Sequence, residues 1–161
     1  MIFRCKFVLF FLIILLPACN LQNLKSKNNN TAEELTDINE LNKTAQNAYQ
    51  LEDWKTAEAA YTKLAQKLPS ESEPWFRLGN IYARTERLDA AIIAYKNALA
   101  RDSKSSKIWH NLGIVYLRQA TYTFTEMLEY TDADDPLNPR AKNVINSVTN
   151  LMSSGFENSG K

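Results

Sequence analysis

Two stretches of this chain repeat one another at a fixed interval: W-F-R-L-G-N-I-Y from Trp75 to Tyr82, and W-H-N-L-G-I-V-Y from Trp109 to Tyr116. Each places Leu-Gly three and four residues after the tryptophan and a tyrosine seven after it, and the tryptophans stand 34 residues apart. On a helix Trp75, Leu78 and Tyr82 share one face, so two large aromatics and a leucine point the same way. Gly79 lies beside that face. A glycine inside a helix costs about 1 kcal/mol relative to alanine, so its presence marks a place where a neighbouring helix leaves no room for a side chain.

The interval extends in both directions. Ala91, Tyr95 and Ala98 follow Trp75 with the pattern of a second helix, small where helices touch and aromatic where a gap must be filled. One interval earlier stand Ala57, Tyr61 and Leu64, closed by Pro69, with Leu41, Ala45 and Ala48 as a weaker opening helix. This pattern resembles the tetratricopeptide repeat family, whose signature is W-x2-L-G-x2-Y…A-x3-F with a period of about 34 residues. The resemblance implies an all-α fold, a tetratricopeptide-like α-solenoid of antiparallel helical hairpins, with repeats near residues 38–71, 72–105 and 106–139. One hairpin cannot bury its own apolar face, so three stack. Ala141, Val144, Ile145, Val148, Leu151 and Met152 form the apolar stripe of a C-terminal capping helix over 139–153, which closes a repeat domain spanning 31–153 before a polar tail at 154–161.

The middle repeat is the best specified. Ser72 is placed to cap its opening helix ahead of Glu73 and Pro74, and Ser106 is placed to do the same for the next opening helix. A turn around Thr85 leads to a second helix over about 86–101 that turns Leu88, Ala91, Ile92, Tyr95 and Leu99 inward. The third repeat departs from the pattern: Thr125 stands where a small residue belongs and Glu129 where the aromatic belongs. Leu112, Tyr116, Ala120, Phe124 and Leu128 recur every four residues, so one long helix over 107–130 competes with a hairpin there. The alternation of T-Y-T-F-T at 121–125 is discounted as a strand because nothing in a helical neighbourhood would pair with it. The acids at 132–135 end in Pro136, which cannot supply the oxygen ligand a calcium loop needs, and they read as a solvated turn.

The beginning of the chain reads as an address. Arg4 and Lys6 precede an unbroken apolar run from Phe7 to Leu16, too short to span about 30 Å of hydrocarbon, followed by Leu16-Pro17-Ala18-Cys19. This segment resembles the signal peptide of bacterial lipoproteins, with a lipobox ending at the cysteine. The resemblance implies removal of residues 1–18 and lipidation of Cys19, which anchors the domain in the bacterial cell envelope facing the periplasm. Asn20 in place of aspartate points to the outer membrane where the cell has one. The other cysteine, Cys5, falls inside the discarded segment, so the mature domain can hold no disulfide or thiolate metal site. The asparagine-rich stretch 19–30 reads as a flexible tether reaching roughly 15 to 20 Å, ended by Thr31 and Glu34 in a capping-box arrangement.

These features bound the function. Loss of Arg4 and Lys6 turns the formal +1 of the whole chain into about −1, which gives no general attraction for nucleic acid. The single histidine, His110, follows a tryptophan of the repeat face, and no phosphate loop or zinc-protease motif is present, so a non-catalytic protein without cofactor or metal is expected. The family resemblance implies that opening helices line a concave groove for a peptide or protein partner. That assigns Phe76, Arg77, Asn80 and Arg84 in the second repeat and Lys107, His110, Asn111, Ile114 and Arg118 in the third to a binding surface, with Asn42, Gln46 and Tyr49 from the first. Its four cations against Glu73 suit an acidic segment or a chain terminus. The competing reading makes these charges a solvated face, with Phe76, Ile114 and Leu117 packed under the capping helix. The expected role is a membrane-anchored interaction adaptor; a pilotin-like assembly factor for a secretin or pilus system and an envelope enzyme of unrecognised type are the alternatives. Oligomeric state is open.

Overall fold

The computed structural model describes residues 19–156, all of the elements below being helical. They are α1 (Cys19–Gln50), α2 (Trp54–Lys67), α3 (Ser72–Arg84), α4 (Leu88–Leu99), α5 (Ser106–Tyr130) and α6 (Asn138–Phe156). Residues 1–18, expected to be a leader, and 157–161 of the polar tail lie outside the described residues. The chain divides into two units at Asp37–Ile38. In the first, residues 19–37 form the opening stretch of α1. Helix therefore occupies the stretch expected as a flexible tether and runs on through Thr31, which starts nothing. Residues 19–31 hold many asparagines but no proline or glycine, and modest propensity alone does not end a helix.

The second unit, from Ile38 onward, is a stack of helical hairpins. Successive helices pack in chain order, α2 on α3, α3 on α4, α4 on α5 and α5 on α6, and α3 also meets α5. Two apolar clusters hold it together. In one, the small residues Ala45 and Ala48 lie with Ala57, Ala60, Tyr61 and Leu64 from α2 and with Leu78 and Ile81 from α3. In the other, Phe76 of α3 and Ala91, Tyr95 and Ala98 of α4 close on Ile108, Leu112 and Val115 of α5. All five residues expected to face inward from α4 are buried.

The first two hairpins turn in the same way. Glu52 and Glu86, one repeat interval apart, both take φ of 58°, the left-handed conformation that closes a helix. Asp53 N–H and Arg87 N–H then reach back to the carbonyls of Ala48 and Tyr82. Asp53 caps α2, its Oδ1 accepting from Thr56 N–H at 3.2 Å. The serine caps expected at 72 and 106 are not formed: these serines are the first helical residues, and neither Glu71 nor Ser105 before them makes a side-chain cap.

The third position for such a turn is Ala120, and there the chain does not turn. Alanine is the strongest helix former and a poor left-handed residue, so α5 continues unbroken to Tyr130. The threonines of this stretch, weaker helix formers, bond back along the helix, Thr121 to the carbonyl of Leu117 and Thr125 to that of Thr121, each at 2.9 Å. The third repeat is thus one long helix and not a hairpin. The aromatics of its opening motif are consequently not core, Trp109 being 55% exposed and Tyr116 42% exposed.

A short turn then reverses the chain into α6. Leu137 N–H donates to Asp135 Oδ1 at 2.8 Å, and buried Asn138 ties the turn by donating to the carbonyl of Asp132 and accepting from Thr131. Of the expected apolar stripe, Ala141 and Val148 are buried and Val144, Ile145 and Met152 half-buried, while Leu151 is 60% exposed and does not join it.

Candidate functional site

The surface between α3 and α5 forms an open groove of 430 Å³. Its floor is a hydrogen-bonded trio. The Tyr95 hydroxyl donates to Asn80 Oδ1 at 2.7 Å, and Asn111 Nδ2 donates to the same oxygen at 2.9 Å. A buried phenol must find a partner, and Asn80 supplies it. Burial pushes the Tyr95 hydroxyl well above its ordinary value, which keeps it a neutral donor. Both bonds converge on one amide oxygen, so the trio uses neither the Asn80 NH2 group nor the Asn111 carbonyl. The two together offer a donor and an acceptor, the complement of a peptide group.

Around the trio lie Arg84, His110, Ile114 and Arg118, all expected from the sequence, with Ala83 and Glu86. Arg118 is a brace: it donates to the carbonyl of Ala83 at 2.8 Å and pairs with Glu86, whose other oxygen accepts from Tyr122. Arg84 stacks over the Trp54 ring, its guanidinium carbon 5.4 Å from the centroid.

Three expected groove residues stand apart from this floor. Phe76 is buried to 7% exposure against Tyr95 under α5 and presents no surface to a ligand. The register places it between two successive opening helices, and α5 closes over it. Lys107 lies on that ring, its Nζ 4.6 Å from the centroid. Arg77 lines a second recess of 300 Å³ with Asn42, Gln46, Tyr49 and Glu73. Glu73 receives both cations, Arg77 at 2.7 Å and Lys107 at 3.0 Å. Burial raises the Glu73 carboxyl, but the Lys107 hydrogen bond and the Arg77 charge outweigh it and hold the group below the usual carboxylate range. The locally positive groove expected from the sequence is therefore reduced within the fold, where Glu73 pairs with Arg77 and Lys107 and Glu86 pairs with Arg118. Neither Glu86 nor the Tyr95 hydroxyl was visible as a groove element in the sequence. Glu86 reads there as a turn residue and Tyr95 as core filler; the signal that was available is that a buried tyrosine needs a polar partner.

The side chain of Cys19 lies outside the described residues. Among the described residues no helix is long and apolar enough to cross a membrane, and no cluster of metal-ligating side chains occurs.

Hairpins stack in chain order here, with a glycine on one helix under an aromatic of the next. Residues 42–106 match the family model of the tetratricopeptide repeat. The fold is an all-α, tetratricopeptide-like solenoid, and such repeats serve protein–protein interaction. The matched span ends where α5 begins. Two curated proteins are similar. The general transcriptional corepressor ssn6 of Schizosaccharomyces pombe is 35% identical over 60 residues, which is 36% of this chain and 5% of that protein. The formate-dependent nitrite reductase complex bifunctional subunit NrfFG of Haemophilus influenzae is 27% identical over 158 residues, which is 96% of this chain and 40% of that protein. The chain thus spans well under half the length of either relative.

Proposed function

We propose that this protein is a non-catalytic adaptor that docks an extended peptide segment of another protein along the α3–α5 groove. The observation that carries this reading is the Asn80–Tyr95–Asn111 trio, which holds an amide donor and an amide acceptor at the floor of an open groove. A fixed pair of this kind binds backbone with little ordering cost, because the fold has already immobilised it. Arg84 gives the groove a cation that Glu73 and Glu86 do not touch, so an acidic side chain or a terminal carboxylate on the peptide is favoured there. The likeness to a subunit of an enzyme complex supports a partner that itself belongs to a larger assembly.

The adaptor works at the bacterial cell envelope, anchored through lipid on Cys19 after loss of residues 1–18. The lipobox-like Leu16-Pro17-Ala18-Cys19 supports this placement. Tethering confines the encounter to a surface and raises its effective concentration without any new contact.

The test of the groove is in-cell crosslinking of the full chain with a photoreactive residue at His110, followed by identification of the captured peptide. Arg84→Glu combined with Asn111→Ala is expected to abolish capture while helicity stays unchanged; capture that persists would remove the groove from the reading. Arg118 is unsuited to this test because it braces α5 onto α3. The anchor is tested separately: Cys19→Ala should lose acyl labelling and move from membrane to soluble fractions.

A further inference from the structure

The two signature glycines have opposite surroundings. A Cβ on Gly79 would stand 2.5 Å from the ring of Tyr95, whereas a Cβ on Gly113 would meet nothing within 4 Å. In the second repeat α4 lies antiparallel on α3 and fills the Gly79 notch with Tyr95, flanked by Ala91 and Ala98. In the third, α5 runs on unbroken and none of the described helices covers Gly113, so Trp109, Gly113 and Tyr116 form an uncovered face bounded by Ala120. The segment of this chain that the repeat interval assigns to the missing place carries Thr125, Glu129 and Asp132 where α4 has Ala91, Tyr95 and Ala98. It has neither the aromatic nor the small residues to fill the notch.

A helix that does have them is α5 itself. Tyr116 is flanked by small residues seven apart, Gly113 and Ala120, as Tyr95 is flanked by Ala91 and Ala98. We propose that the Trp109–Gly113–Tyr116–Ala120 face of α5 is a homodimer interface, on which a second copy of this chain packs its own α5 antiparallel about a two-fold axis. With Tyr116 of each copy set into the Gly113 notch of the other, the same register puts Trp109 of each over Ala120 of the other. Every large residue then meets a small one, and a single patch supplies both knob and hole, which is the self-complementarity a two-fold contact requires.

Both knobs are held in place in advance. Trp109 Nε1 donates to the carbonyl of Ser103 at 2.9 Å, and Lys96 Nζ lies 5.9 Å from the Tyr116 centroid. Ile93, one turn before Lys96 on α4, is exposed as well. Aromatics of this size, ordered and uncovered on a helix face, are the residues that anchor protein contacts.

The test uses the full chain in mild detergent, with a photoreactive phenylalanine analogue at position 116. Illumination is expected to give a covalent homodimer whose crosslink maps to 109–120 of the second copy, and sedimentation should show a concentration-dependent dimer. Gly113→Leu fills the notch on an open face that can accept it. It should lower the dimerisation constant at least tenfold and abolish the crosslink, with helicity unchanged. That variant keeps the same anchor, so copies merely sharing a micelle would remain associated in it. A monomer at all concentrations, a crosslink to a different segment or a different protein, or a Gly113→Leu chain that dimerises normally would each overturn the proposal.

Discussion

The ring of Tyr95 occupies the space a side chain would need at position 79, with Cδ1 and Cε1 both 2.5 Å from where the Cβ of any other residue would be. A buried ring braced by its own hydrogen bond to Asn80 cannot step aside cheaply. Gly79→Ala is expected to destabilise the fold by about 1 to 3 kcal/mol despite its better helix propensity. Gly113→Ala, on the open face of α5, should instead stabilise by about 1 kcal/mol. Denaturant unfolding of the two variants at low protein concentration checks the opposite signs; equal effects would mean that the two glycines stand in equal surroundings.

The two signature tryptophans should separate in the same way. Trp75 is packed against both core clusters, with the Arg101 guanidinium 5.0 Å above its ring. Its indole nitrogen is buried without a partner. The matching acceptor, the carbonyl of Pro69, one interval before Ser103, is taken by Arg101 at 2.6 Å. Trp75→Ala should cost about 3 to 5 kcal/mol, whereas Trp109→Ala should stay within about 1 kcal/mol of wild type. Thermal unfolding of both, again at low concentration, measures the difference.

Glu73 joins two opening helices by holding Arg77 of α3 and Lys107 of α5. Its folded carboxyl is held below the ordinary value, by Lys107 and Arg77 against the effect of burial. The stability it contributes is therefore present in full above the unfolded carboxylate range, near pKa 4.3, and is lost as pH falls through the lower folded value. Melting curves of wild type and Glu73→Gln should differ at pH 7 and converge as the pH drops below about 4. A gap that stays constant with pH would exclude the charge as its cause.

Glu52 and Glu86 share a left-handed backbone at φ of 58°, a conformation that costs most non-glycine residues about 1 kcal/mol. Glu52→Gly should therefore stabilise by up to about 1 kcal/mol. Glu86→Gly relieves the same strain but forfeits the Arg118 and Tyr122 contacts, and should gain nothing or lose stability. Chemical denaturation of the pair, read as the sign of each shift, decides this.

The sequence alone determined the repeat interval, the helical class and the identity of the middle hairpin. These depend on periodicities local to one helix or shared by two copies, and Trp75, Gly79, Tyr82 and Tyr95 declare them by spacing. It also placed Asn80, Arg84, His110, Asn111, Ile114 and Arg118 on one surface, because opening helices one interval apart lie side by side. Tertiary structure decided the rest. Phe76 is equally apolar whether it faces a ligand or the underside of α5, and only the packing of α5 makes it core. The charges at Lys107 and Arg118 look free in one dimension and are paired in three, because their acids, Glu73 and Glu86, lie one repeat interval away in the chain, whereas the Glu73–Arg77 pair is local to one helix. Above all, two copies of one motif were given different surroundings by an event outside both of them: the chain reverses at Glu86 and runs on through Ala120, so a helix covers Gly79 and none of those described covers Gly113.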